Sequence, residues 1–326
     1  MIVYKYILLL AVLALLGGCG LVQKVAVGTT ADILFDGTKE IETESNWELF
    51  KQGVPGNLKM MEGMLYLEPK NKKLLAGLTK GYAGYAFAVN ETEYLQDLYT
   101  GKSDSSPHKI QLISNYSKAL EFGLRFLEQR DVRFDDFKRE MNNNNGIYNL
   151  LDKELSDSLL DLEGTLFTAQ SLGSLIFLQQ DSMTMVALLP IVKSMFDWVC
   201  SKKPDINYGA CDIFYGAYEA GRPKMLGGNP QKGKQIFLDL IKKYKHNWLL
   251  RIAYIRFSII PRGEQEEFQE QMKFFAKVHP MYIKHLGWKP LKTDPPDEFK
   301  DKGLLLYQTL GIKQYEILKK LENEIF

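Results

Sequence analysis

Apolar positions along this chain recur at steps of three and four, and rarely at steps of two. Leu74, Leu78, Tyr82, Tyr85 and Val89 form one such row. Leu112, Tyr116, Ala119, Leu120, Gly123, Leu124 and Leu127 form a second. A third runs through Leu155, Leu159, Leu160, Leu162, Leu166, Ala169, Leu172 and Gly173. Shorter rows follow at Ile236, Leu240 and Ile241, at Leu250, Tyr254 and Phe257, and at Phe268, Met272, Phe275 and Val278. This spacing gathers side chains on one face of an α-helix, so the pattern predicts an all-α body. Breakers divide it. Pro55 suits the first turn of a helix, and Pro69 stops the helix that ends near Leu67. Polar loops are predicted at 101–107 and 142–146, where Asn and Gly tolerate left-handed turns. Ser156 is placed to cap the helix after it. Pro204, Pro261, Pro280, Pro290 and Pro295-Pro296 punctuate the rest, with the longest break at 287–296.

The stretch around Pro69 resembles a tetratricopeptide repeat. A helix over 57–67 ends in Glu68-Pro69-Lys70-Asn71, and the next carries Leu75, Leu78 and Tyr82. Ala76, Gly77, Gly81, Ala83 and Gly84 supply the small faces that let paired helices approach. A weaker instance passes through Pro204 to helices at 208–220 and 230–244. The expected architecture is an array of antiparallel helix pairs resembling degenerate tetratricopeptide repeats, with a generic helical bundle as the alternative. A long insert, roughly 90–113, interrupts it.

The first residues carry a different signal. Lys5 precedes an apolar run at 7–16, followed by Gly17-Gly18-Cys19-Gly20. The run is short for a membrane span and fits a secretory leader. Leu16-Gly17-Gly18-Cys19 resembles a bacterial lipobox, which implies cleavage before Cys19 and its lipidation. Residues 1–18 are then the leader, 19–45 a lipidated segment with a first helix, and 46–326 a single all-helical body. Acyl chains would hold the body to a membrane. The apolar runs at 172–178 and 183–192 read as core helices.

Charge and composition narrow the functional classes. Lys plus Arg total 41 and Asp plus Glu total 40, a formal charge of +1. Nucleic-acid binding requires a basic excess that is missing here. Three cysteines are too few for a disulfide scaffold. After lipidation Cys19 is the anchor, and Cys200 and Cys211 read as two buried free thiols, although an oxidising compartment would permit a bridge. The four histidines show no metal-ligand spacing, and no phosphate loop or nucleophile elbow occurs. The acidic group Glu264, Glu266, Glu267 and Glu270 reads as a solvated helix start.

Three blocks together carry a family resemblance. They are residues 54–65 (Val-Pro-Gly-Asn-Leu-Lys-Met-Met-Glu-Gly-Met-Leu), residues 69–75 with Gly81-Tyr82-Ala83-Gly84-Tyr85-Ala86, and residues 221–230 leading to Phe237. The combination is similar to the T component of tripartite ATP-independent periplasmic (TRAP) transporters, over roughly residues 31–326. The resemblance implies a lipoprotein in the bacterial cell envelope, tethered by Cys19 and facing the periplasm; Gly20 and Leu21 after the cysteine, with no Asp there, favour the outer membrane by analogy with enteric bacteria. It implies docking to the substrate-binding P component, self-association as a trimer, and handling of a small organic or hydrophobic ligand. No catalytic residue, metal or cofactor comes with it. Regions 101–145 and 287–303 carry none of these blocks, so no partner residue is transferred to them. A generic envelope scaffold and a stand-alone binding lipoprotein are the other classes.

Two groups are candidate sites. In the loop of Arg222, Gly227, Gly228 and Asn229, exposed amides and Arg222 suit a carboxylate or a partner. The same residues equally suit a rigid connection in which Asn229 caps the next helix and Arg222 bridges to an acidic neighbour. Tyr82, Tyr85, Tyr215 and Tyr218 lie near small residues, as the lining of a ligand cleft or as groove-filling core.

Overall fold

Side-chain caps set where the main helices begin in the computed structural model, which describes residues 26–222, 224–287 and 294–326. The leader, Cys19, Pro223 and Pro290 lie outside the described residues. Helix α1 spans 26–41. Asn46 caps α2 (Trp47–Leu67) and Asn71 caps α3 (Lys72–Tyr85), each accepting a backbone N–H with its side-chain oxygen. Helix α4 (Thr92–Tyr99) follows, and Ser106 caps α5 (Pro107–Glu128), with Pro107 as its first residue. The short α6 (Phe134–Glu140) and α7 (Gly146–Glu154) lead to α8 (Leu159–Leu178) and α9 (Met183–Val186). Next come α10 (Leu189–Lys202), α11 (Ala210–Gly221), α12 (Pro230–Lys243), α13 (Leu249–Tyr254) and α14 (Ile260–Arg262). The chain closes with α15 (Gln265–Leu286), α16 (Leu305–Lys320) and α17 (Glu322–Ile325). The described residues contain no strand. The fold is all-α.

Neighbouring helices pack antiparallel, and glycine sets how closely. A Cβ at Gly77 would stand 2.7 Å from Met61 Cε, and one at Gly81 would stand 2.6 Å from Leu58 Cδ2. Rising numbers on α3 thus meet falling numbers on α2. Helices α5 and α8 pair in the same way: a Cβ at Gly123 would strike Thr168, and one at Gly164 would strike Phe126. On α11 and α12, a Cβ at Gly233 would stand 2.7 Å from Gly216 O and one at Gly216 would stand 2.9 Å from the Phe237 ring. Helix α16 lies antiparallel to α15, with Tyr315 stacked on Phe275 and Thr309 bonded to Tyr282.

The array does not end open. Helix α16 packs on α2 and α4 as well as on α13 and α15, so the last long helix returns to the first pairs. Gln314 Nε2 donates to Thr92 Oγ1 at 2.9 Å, and Leu306 N donates to Glu42 O at 3.0 Å. The buried side chains form one continuous core from Val27 to Leu318.

Several local expectations change. Pro55 lies in the middle of α2, not in its first turn. It cannot donate to Lys51 O, and that carbonyl instead accepts from Tyr85 Oη at 3.3 Å. Pro280 sits inside α15. Ser158, not Ser156, caps α8; Ser156 Oγ instead donates to Asp161 at 2.7 Å. Of the two apolar runs, α8 and α10 are core helices, but α9 buries no residue and Met183 is 79% exposed. The stretch Met183–Lys202 is long and apolar enough to cross a membrane by length and composition alone, with a mean hydropathy of 1.5. Its second half packs Ile191, Met195, Trp198 and Val199 into the core.

Cys200 and Cys211 are not free thiols. They form a disulfide between α10 and α11, with α-carbons 5.8 Å apart. Three consecutive residues in the connection, Asn207, Tyr208 and Gly209, have positive φ (47°, 52° and 105°). Two of them are not glycine, so the bridge closes a strained turn. The double variant Cys200→Ser/Cys211→Ser is expected to lose about 2–3 kcal/mol of unfolding free energy, as a loop of this size gives. Urea melts check this: reductant should lower the wild-type midpoint to that of the variant and leave the variant unmoved.

Candidate functional site

The loop after α11 is built around Arg222. Its guanidinium lies 3.7 Å from the Tyr218 ring centre; Nε donates to Tyr218 O at 3.0 Å and Nη2 to Gly227 O at 3.2 Å. Glu219 lies 3.8 Å away. Gly227 has φ +79°, and a Cβ at Gly228 would collide with the Arg222 carbonyl. Asn229 caps α12 through Lys232 N at 3.1 Å, while its own N–H donates to Glu219 O at 2.9 Å. Lys232 Nζ closes the loop onto Glu219 at 2.7 Å. These contacts hold a rigid helix connection with Met225, 90% exposed, on its outside.

The four tyrosines fall into two places. Tyr82 and Tyr85 are on α3, which packs on α2, α5 and α8. Tyr215 and Tyr218 are on α11, which packs on α10, α12 and α13. Tyr82 is buried, stacks on Phe122 and donates to Glu62. Burial and the Glu62 charge push its phenol up to about 12. Burial alone would raise Glu62 too, but hydrogen bonds from Lys59, Tyr82 and Lys118 outweigh it and lower the carboxyl. Tyr215 donates to Asp197 at 2.9 Å, and burial with that carboxylate raises its phenol. Tyr85 answers the carbonyl that Pro55 leaves unpaired.

Charged side chains also lie inside the array, where the helical spacing alone does not place them. Lys80 on α3 lies between Glu163 of α8 at 2.9 Å and Glu42 at 3.2 Å. Burial opposes the ammonium, but the two carboxylates more than offset it and raise its pKa. Tyr307 of α16 faces the same group: burial, then the charges of Glu42, Tyr208 and Glu163, push its phenol up. One signal for this cluster was visible. Asp161 and Glu163 interrupt a strongly apolar helix, α8, and both are buried. Glu267 likewise departs from the solvated helix start expected of it. It receives Lys234, Tyr254 and Arg262.

A second polar group lies further along the same helices. Helix α3 runs on through a π-helical turn, Ala86–Glu91, into α4. Another π-helical turn, Ile255–Ile259, follows α13. Glu91 ends the first and Arg256 lies in the second; they pair at 2.9 Å with both side chains nearly buried. Tyr116 Oη also donates to Glu91 at 2.5 Å, and Arg256 reaches Gln314 at 3.4 Å. Ser174 on α8 faces the Tyr116 hydroxyl. Lys80 to Glu91, and Glu163 to Ser174, is about 16 Å along a helix, and Tyr307 to Gln314 about 10 Å. Half-buried Gly84, Phe87 and Phe167 lie between the polar groups in sequence, and a Cβ at Gly84 would meet nothing within 4 Å. A separate surface cleft of about 450 Å³ opens between the start of α2, α15 and α16, lined in part by Trp47, Tyr282, Thr309 and Lys313.

Lys80→Met leaves Glu42 and Glu163 facing each other without a cation, so a loss of about 3 kcal/mol is expected at neutral pH. The folded pKa of Lys80 is raised, so its contribution is complete below 10.5 and fades as pH rises through the folded value. Denaturant melts of wild type and variant should therefore differ by a constant amount from neutral pH to pH 10, then converge.

No curated protein matches the chain. The profile of the TRAP transporter T-component family matches residues 43–281, from the approach to α2 through most of α15. That span holds the Arg222 loop, Lys80 with Glu163, and Glu91 with Arg256, while Glu42, Tyr307 and Gln314 lie outside it. With most of its length matched, the chain belongs to the TRAP transporter T-component family.

Proposed function

We propose that this chain is the envelope-anchored, periplasm-facing accessory of a TRAP transporter, docking the substrate-binding P component and helping deliver a small organic or hydrophobic ligand. The family match over 43–281 carries the reading. The family is an accessory one and supplies no catalytic residues. Two features of the chain support the compartment. Leu16-Gly17-Gly18-Cys19 has the form of a lipidation site, and Cys200–Cys211 is a disulfide of the kind that persists outside the cytoplasm. Gly20 and Leu21 after Cys19 support an outer-membrane tether, and the segment around Pro69 supports a tetratricopeptide-like reading of the helix pairs.

Each candidate group takes a role in this proposal. The Arg222, Gly227, Gly228 and Asn229 loop is the docking contact, because its internal bonds hold an exposed Met225 in a fixed place at little ordering cost. The ligand is handled along α3 with its π-helical turn, α8 and α16, where Phe87 and Phe167 lie in sequence between residues of the Lys80 and Arg256 groups. Tyr82, Tyr85, Tyr215 and Tyr218 support the walls of the array from behind.

The test is affinity capture of the tagged full-length chain from cells expressing the whole transporter. A TRAP substrate-binding protein should be recovered with it, and Met225→Asp should reduce that recovery about tenfold, as loss of a central apolar contact does. Capture without any substrate-binding protein, under conditions that recover the permease complex intact, overturns the reading in favour of an envelope scaffold.

A further inference from the structure

Helix α1 limits where an anchor at Cys19 can hold the body. Val27 and Ala31 pack into the core. Asp32 pairs with Lys73 at 2.7 Å, and Glu42 with Lys80 at 3.2 Å. Numbers rise together along both helices, so α1 and α3 run in the same sense. The start of α1 therefore lies at the α2–α3 turn, with Ala26 about 9 Å beyond Asp32. Cys19 precedes Ala26 by seven positions. A fully extended chain of that length reaches about 25 Å.

That reach is too short for the other end of the array. Glu91 lies about 27 Å past Lys73 along the helix, which puts its level roughly 36 Å from Ala26. The exposed Met183 and Met225 belong to this far end. Helix α8 passes Lys80 at Glu163 and the Tyr116 hydroxyl beside Glu91 at Ser174, then leads on to Met183. Tyr208, just before α11, meets Tyr307 at 5.6 Å; α11 then packs on the second π-helical turn, and Met225 follows it.

The near end carries a different set of side chains. Tyr66 is 84% exposed and Leu67 beside it 47%. Lys70 is exposed and Lys72 half-buried, and neither pairs with a described residue. Arg125 adds a third cation by donating to Pro69 O at 3.3 Å. Glu68 is the one carboxylate between Tyr66 and Lys73. An open phenol ring and a leucine beside uncompensated lysines suit a lipid interface. The ring and the aliphatic chain enter the headgroup boundary, and the ammonium groups meet anionic lipid.

We infer that the α2–α3 turn rests on the surface of the membrane that holds Cys19, with Tyr66 and Leu67 in the interface and Lys70 and Lys72 on anionic headgroups. This rests on the Cys19 anchor of the proposed function. The body then stands end-on, and the loop that carries Met225 projects away from the lipid toward a soluble partner. A protein is the poorer occupant of the turn, because it would have to enter the gap that the short tether leaves between body and membrane. The contact also gives the acyl chains a second, electrostatic signal of the kind that makes anchoring stable.

The test uses the full-length lipidated protein in vesicles of phosphatidylethanolamine and phosphatidylglycerol. Acylated Cys19 and the Cys200–Cys211 bridge leave an introduced cysteine as the free thiol. Tyr66→Cys and Met225→Cys each receive a nitrobenzoxadiazole label, whose emission reports its surroundings. The label at 66 should shift to the blue, lose emission to doxyl-bearing lipids and resist aqueous iodide. The label at 225 should do none of these. Adding Lys70→Glu/Lys72→Glu should raise iodide access at 66 at least about fivefold, as loss of lysine attraction to anionic lipid does. Melting curves of all variants should overlay the wild type, because these side chains point outward. Mass spectrometry of the same samples separates the two readings. An acylated protein whose label at 66 is as open to iodide as the label at 225 overturns the orientation alone. So does protection at 66 that the lysine reversal leaves intact. A chain without acyl groups on Cys19 overturns the anchor, and the orientation falls with it.

Discussion

The pairing of Glu91 with Arg256 joins residues 165 positions apart and closes the helical array. Without it the two π-helical turns would each present a nearly buried charge with no counterion, which an apolar interior penalises heavily. Tyr116 and Gln314 fill out the hydrogen bonding, so the contact brings together side chains from α5, both π-helical turns and α16. π-Helical turns are scarce and tend to mark places where a helix must re-aim a side chain. Here both do so toward one ion pair. An open stack of repeats contacts only its neighbours. This chain instead brings α16 back onto α2 and α4, and the Thr92–Gln314 bond beside the pair secures that return.

The closed arrangement has a consequence for the interior. Helices α3, α8 and α16 each carry polar groups at two levels and smaller or aromatic residues between them. Charges placed there need partners from other helices, and Lys80 with Glu42 and Glu163 is such a set. The same constraint makes the outer loops free to diversify. The Arg222 loop bonds mainly to itself and to α11, so its tip can carry a recognition residue without cost to the core.

Glycine serves two distinct ends among the described residues. On α3, α5, α8, α11 and α12 it lets antiparallel helices approach within the protomer. At Gly209, Gly227 and Gly263 it takes a positive φ in a turn or cap. At Gly53, Gly56 and Gly63 on the outside of α2 it meets neither need.

The all-α class was legible from the spacing of Leu74, Leu78 and Tyr82, and of Phe268, Met272 and Phe275, because helical periodicity is a local property of the chain. The antiparallel pair around Pro69 and the Asn229 cap were legible for the same reason: caps and short turns are written in adjacent residues. Tertiary contacts decided the rest. The tolerance of Pro55 inside α2 depends on Tyr85, thirty residues away. Whether Cys200 and Cys211 bond depends on the distance between two helix ends, which spacing alone does not set. The internal charges at Lys80 and Arg256 look like ordinary surface residues in the sequence, because their partners come from distant segments. Local pattern therefore determined which segments are helices and how they start and stop. The closure of the array, and the chemistry it encloses, came from pairings between residues that only the folded chain brings within reach.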